Sequence, residues 1–215
     1  MIIHAYPEMY VHKAQVKLGT AFDFAIHDCQ VKGDDFISYF IVSPTSHRME
    51  TGDVSCLLGK SGIEIALDVL EETTGRRPSI EPSPRYTRSP EYWMGWAVAY
   101  YQWYSGRNYG QIFQALPYEV LLQLYPTLHE ADISKFVDIA SQRVHECFPD
   151  TQLKYFRTSA KYTQQELAHR SDVSLRSIQM YEQRRKDINK ASADTLYRLS
   201  KVLHCSIEDL MEPTA

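Results

Sequence analysis

Residues 153–210 read LKYFRTSAKYTQQELAHRSDVSLRSIQMYEQRRKDINKASADTLYRLSKVLHCSIEDL. Within this stretch Thr163 and Glu166 stand at the spacing of a capping box, in which each side chain satisfies the other residue's orphan backbone N–H and a helix begins. Leu167 and Ala168 follow on its inward side. Ser171, Asp172 and Val173 then make a short turn. Asp172 takes the place that most needs a left-handed backbone, which Asp tolerates better than most residues. Val173 fills the angle between the helices. Ser174 caps a second helix, running from Leu175 to about Gln183, with Ile178 and Tyr181 on its buried side. Arg176, Ser177, Gln179 and Met180 are left to point outward. Arg184, Arg185 and Lys186 lie just past the helix end, and a further helix follows.

Two capped helices joined by such a turn are the geometry of a helix-turn-helix, whose second helix is presented to the DNA major groove. The stretch resembles the phage-repressor/Cro type of this module, the XRE family. The matching residues are Leu153, Arg157, Thr163-Gln164, Glu166-Leu167-Ala168, Val173-Ser174, Ile178, Tyr181-Glu182, Leu196, Leu199 to Leu203, Ile207 and Leu210. The resemblance implies a five-helix Cro/C1-type domain over residues 150–215. Two positions depart from the family pattern. Asp172 replaces the usual turn glycine, and Gln183-Arg184-Arg185 stands where a glycine normally follows the second helix.

Carried over by position, the resemblance implies a phosphate contact for Gln164 and groove-facing roles for Ser174, Leu175, Arg176, Ser177, Gln179 and Met180. Arg176 is the leading base reader, because a guanidinium pairs bidentately with guanine O6 and N7. Leu175 and Met180 offer only apolar contact, for example to a thymine methyl. Arg157 and Glu182 match a buried ion pair of the family, a structural role, since a buried charge requires a partner. The run Arg184, Arg185 and Lys186 is either a solvated loop or a set of phosphate contacts. Its place beside the second helix favours the contacts, because phosphates dominate nucleic-acid affinity.

Charge supports this division. Residues 151–215 hold 11 Lys and Arg against 8 Asp and Glu, a net of +3, and the remainder holds 12 against 19, a net of −7, in a chain of net −4. An acidic body carrying a basic tail fits a DNA-binding module joined to a partner that does not bind DNA. The four cysteines, Cys29, Cys56, Cys147 and Cys205, are scattered without a CxxC pair. With no secretory signal and no long apolar run, this predicts a reduced, cytoplasmic, nucleoid-associated bacterial protein without a membrane span.

The first two-thirds read as an all-α, multi-helix domain, residues 1–149. Tyr10, Val11, Ala14, Leu18, Ala21, Phe22, Ala25 and Cys29 mark a helix from about Pro7 to Gln30. A second spans Asp35 to Val42, and Ser43 to Leu58 reads as irregular. Ser61 and Glu64 form a capping box for a helix to about Thr73, ended by Gly75. The proline-rich segment from Arg76 to Arg88 reads as a loop. Ser89-Pro90-Glu91 opens a helix carrying Trp93, Trp96, Ala97, Tyr100, Trp103 and Tyr104. Shorter helices follow over Asn108–Leu116 and Pro117–Leu124, the latter ended by Pro126. A last one runs from Ala131 to Cys147.

The aromatic helix reads as domain core, with a small-molecule box as the alternative. Gly59-Lys60-Ser61 mimics the end of a P-loop, but Val54 occupies the position of the first glycine and no parallel-strand run precedes it. The eight histidines are dispersed without zinc-ligand spacing, so no metal or cofactor is assigned. No nucleophile–base set points to an enzyme. The segments GKSGIEIALDVL, SPEYWMGWAVAYYQWYSGR and LYPTLHEADISKF resemble those of Firmicutes proteins that carry the same module and are encoded beside ADP-ribosyltransferase-like toxins. That likeness implies an antitoxin or autorepressor. The expected function is a DNA-binding transcription regulator acting on duplex operator DNA as a homodimer, with a toxin as a further partner; the alternative is a regulator that senses a small molecule through the aromatic helix.

Overall fold

The computed structural model describes residues 4–84 and 87–212 and divides into two compact units, Met1–Cys147 and Phe148–Ala215. Among the described residues the regular structure is entirely helical. None of these helices is long and apolar enough to cross a membrane.

In the first unit α1 (Val11–His27) is buried along Ala14, Leu18, Ala21, Phe22 and Ala25, the stripe its spacing predicts. It packs against α5 (Gly62–Thr74) and α6 (Pro90–Ser105). The α1–α6 crossing is set by two glycines. A Cβ on Gly95 would come within 2.5 Å of the Leu18 carbonyl oxygen, and one on Gly19 within 2.7 Å of the Tyr92 carbonyl oxygen. Backbone therefore rests on backbone. α6 is buried almost all round: Trp93, Met94, Ala97, Val98, Tyr101 and Trp103 are all in the core, while Trp96, Tyr100 and Tyr104 are half-buried. Trp103 donates its indole N–H to the Tyr6 carbonyl at 2.8 Å, which satisfies the polar end of a buried ring.

Two expectations need correction. Ser43 to Leu58 is not irregular; it holds α3 (Pro44–Glu50) and α4 (Val54–Leu57), after α2 (Gly33–Val42). Ser43 caps α3 by accepting from the Ser46 N–H at 3.1 Å, with Pro44 in the first turn. Proline there marks a helix start, because its missing N–H is one the helix would leave unpaired anyway. Pro126 does not end α8 (Tyr118–Leu128), which continues one further half-turn past it. Between α6 and α8 lies α7 (Tyr109–Ala115), and α9 (Ile133–Cys147) closes the unit. There Phe136 meets Trp93 edge-on at 5.6 Å.

A buried carboxylate ties three of these helices together. Glu91, at the start of α6, lies 2.9 Å from His27 Nε2 at the end of α1 and accepts from the Tyr118 hydroxyl of α8 at 2.9 Å. Burial alone would raise the Glu91 pKa. The hydrogen bonds from His27, the backbone and Tyr118 outweigh it and hold the carboxyl below its usual range. The group's contribution to stability is therefore present above the unfolded carboxylate pKa and is lost as pH falls through the depressed folded value. Glu91→Leu should lower the stability of residues 1–147 by about 1–3 kcal/mol at neutral pH, leaving two polar partners unmatched. The gap between urea melts of the two proteins should narrow from pH 7 to pH 3; a constant gap would remove Glu91 from the acid limb.

Candidate nucleic-acid interface

Among its described residues the second unit contains five α-helices: α10 (Gln152–Ser159), α11 (Gln164–Ser171), α12 (Leu175–Glu182), α13 (Ala193–Leu203) and α14 (Ile207–Leu210). None reaches four turns, so packing rather than propensity must hold them. Leu153, Leu167, Val173, Ile178, Tyr181, Leu196, Leu199, Leu203 and Leu210 form one apolar core.

Local chemistry sets each boundary. Thr163 accepts from the Glu166 N–H at 3.1 Å, and Glu166 reciprocates on the Thr163 N–H at 2.7 Å. These bonds hold the Glu166 carboxyl below the usual carboxylate range. Asp172 makes the turn with a left-handed φ of 53°. Its carboxylate accepts from Arg198 of α13 at 2.6 Å. Ser174 caps α12 by accepting from the Ser177 N–H at 3.1 Å.

The second unit contains no glycine. Four of its described residues nevertheless adopt positive φ: Lys161, Asp172, Arg184 and His204, each at a helix end. After α12 the chain forms a Schellman motif. The Arg185 N–H reaches the Met180 carbonyl at 2.9 Å and the Arg184 N–H reaches the Tyr181 carbonyl at 3.0 Å, which satisfies two orphan carbonyls of the helix. Arg184 itself takes the left-handed position, at φ 54°. The path that a glycine normally provides is thus kept by an arginine, at about 1–2 kcal/mol of backbone strain.

Beneath the exposed face lies a buried charge network. Arg157 and Glu182 are 9% and 8% exposed. They pair bidentately, Nε to Oε1 at 2.6 Å and Nη2 to Oε2 at 2.9 Å. Arg157 Nη1 donates to the Tyr162 carbonyl at 2.7 Å, and Gln164 Nε2 donates to Glu182 Oε2 at 2.7 Å. The pair therefore joins α10, the start of α11 and the end of α12.

Arg176 is exposed on α12, and among the described residues its guanidinium has no hydrogen-bond or ion-pair partner. Leu175, Ser177 and Met180 are half-buried and Ser174 is exposed. Arg176, Ser177 and Met180 fall on the arc opposite Ile178 and Glu182, as a repeat of 3.6 residues requires. Gln179 is a correction: expected outward, it is only 5% exposed. The buried arc of α12 reaches from Tyr181 through Ile178 to Gln179, whose amide lies 3.5 Å from that of Gln164. The Gln164 side chain is likewise engaged with Glu182, where a phosphate contact was expected.

Of the basic run, Lys186 is exposed, with its ammonium 5.3 Å from the centre of the Tyr181 ring, and Arg185 is half-buried. Arg184 is held instead of free. It donates to the Pro149 carbonyl at 2.8 Å and to Glu212 at 3.0 Å. Glu212 is the residue that the sequence reading missed; no local motif marks a carboxylate 28 positions from its partner.

Among the described residues no group of three or more His, Cys, Asp or Glu side chains is placed to hold a metal ion. No curated protein and no solved structure matches the chain. Residues 153–210 match the family model described as helix-turn-helix, and with the geometry above this makes the second unit a DNA-binding helix-turn-helix domain of the XRE type, the kind that transcription regulators carry.

Proposed function

We propose that the protein is a sequence-specific repressor that binds an inverted-repeat operator as a homodimer. The observation that carries this reading is Arg176: a cation on the exposed arc of α12, without a side-chain partner among the described residues, while Arg157, Arg184 and Arg198 are tied down. Ser174, Leu175, Ser177 and Met180 complete the base-facing set. Arg185 and Lys186 serve the phosphates, and Gln164 offers its backbone N–H at the start of α11. A single module reads few bases, so two-fold pairing on half-sites supplies the specificity. The acidic helical unit, with 12 Lys and Arg against 18 Asp and Glu over residues 1–147, is suited to holding its twin or a protein partner and not to DNA. In this reading the protein acts at its own promoter, and the partner held by the helical unit would be a toxin. Such a protein works in the cytoplasm, at the nucleoid.

The test is Arg176→Ala against a selected duplex and its single-base variants. Loss of about 1–3 kcal/mol at one base position, with preference relaxed only there, is the expected result. Full affinity and unchanged specificity in an anisotropy titration would remove α12 as the reading helix.

A further inference from the structure

Resting on the DNA-binding reading, we propose that Glu212 is an affinity-setting residue: its carboxylate occupies Arg184 in the free protein and must yield that guanidinium to a DNA phosphate on binding. Arg184 stands directly after α12, first in the run Arg184, Arg185 and Lys186. In the free module its Nη2 donates to Glu212 Oε2 at 3.0 Å. The other carboxylate oxygen accepts from the Gln152 N–H at 2.7 Å, at the start of α10.

The tail is anchored so that the carboxylate arrives there without search. The Asn189 side chain donates to the Glu212 carbonyl at 2.8 Å and accepts from the Glu212 N–H at 2.9 Å. Those two bonds hold the main chain, and the Gln152 N–H keeps one carboxylate oxygen in place, so only the oxygen facing Arg184 has to give up its partner. The ion pair itself is a quarter to a fifth exposed, so it is open to competition from an anion in solvent. A phosphate diester offers the same charge and acceptor oxygens as the carboxylate, in a chain that presents many of them at once. The Pro149 carbonyl holds the other guanidinium nitrogen at 2.8 Å, which keeps Arg184 near its place when Glu212 lets go. The module therefore binds every duplex, cognate or not, more weakly than its count of basic residues would allow. Base contacts from Arg176 are untouched, so both affinities fall together and the ratio of cognate to random binding stays the same.

The experiment measures affinity for a cognate and a random duplex over a range of salt. It compares the wild-type chain, Glu212→Gln, Arg184→Gly and the double variant. Gln keeps an acceptor for the Gln152 N–H, and Gly takes the left-handed position without strain, so both changes preserve the fold; the helical circular dichroism and melting midpoint check that. Glu212→Gln should tighten both duplexes roughly two- to fivefold, the equivalent of one partly exposed ion pair. Its salt dependence should steepen by about one unit of log K against log salt. In the Arg184→Gly background the same change should do neither. An unchanged affinity and slope for Glu212→Gln would overturn the proposal. So would an equal gain in both backgrounds, which would be a general charge effect. Failure of all four proteins to bind any duplex would instead sink the DNA-binding reading itself, and the role of Glu212 with it.

Discussion

Glu182→Ala is expected to destabilise residues 148–215 by about 3–5 kcal/mol, the cost of breaking a buried ion pair from one side. For a domain of this size that is most of the stability available. The loss is large because the carboxylate serves more than one donor. It accepts from two nitrogens of Arg157 and from Gln164, and it does so at the end of the helix that carries Arg176. Removing it strands a guanidinium that is 9% exposed. Replacing both partners, Arg157→Met with Glu182→Leu, should cost far less than either single truncation, because no charge is then left buried. All three tryptophans, Trp93, Trp96 and Trp103, lie in the first unit, so their fluorescence follows that unit alone. Urea unfolding of Glu182→Ala should therefore show an early loss of ellipticity while the tryptophan transition stays in place. An unshifted ellipticity curve would show that the pair adds nothing to the fold.

Gly95→Ala should act on the other unit, with a sign opposite to the usual one. In an open helix the change gains about 1 kcal/mol of propensity. At the α1–α6 crossing the added methyl would sit 2.5 Å from the Leu18 carbonyl oxygen and 2.9 Å from the Gly19 nitrogen. Neither is a side chain that can swing away, so the helices must part, at a cost of about 1–3 kcal/mol or more. Gly110→Ala in α7 is the control. There the nearest atom is Asn108 Oδ1 at 3.4 Å, and the substitution should be neutral or stabilising. Tryptophan-monitored melts of the two variants should move in opposite directions or leave only Gly95→Ala displaced. Equal shifts would mean that the close approach at the crossing is not what the glycine is for.

Much of the fold is legible because its signals are local. Thr163 with Glu166, Ser61 with Glu64, and Ser89 with Pro90 each announce a helix start within four residues, and each appears as such. Leu196, Leu199 and Leu203 repeat with the helical period along α13 and meet Leu153, Leu167 and Ile178 in one core. Ser43-Pro44 carried the same kind of signal, yet the short helix behind it lacks an apolar stripe long enough to show a period. Gln179 went the other way. A glutamine on a short helix reads as solvent-facing, and only the position of α11 shows that this side of α12 is covered. Arg184 was legible as a basic residue after a helix but not as a partner of Glu212. That pairing depends on the path of the loop through Asn189, which no residue type specifies by itself.

The four left-handed residues of a glycine-free module have a thermal consequence. Where a helix ends in glycine, folding must confine a residue whose unfolded state is unusually broad, and that cost is entropic. Lys161, Asp172, Arg184 and His204 begin from a narrower unfolded state and carry their cost as native-state strain. An entropic cost grows in proportion to absolute temperature, whereas a strain energy does not. On warming, the module gives up less at these four corners than a glycine-capped counterpart of equal stability at room temperature, so its resistance to heat is greater than its resistance to denaturant at 25 °C would suggest.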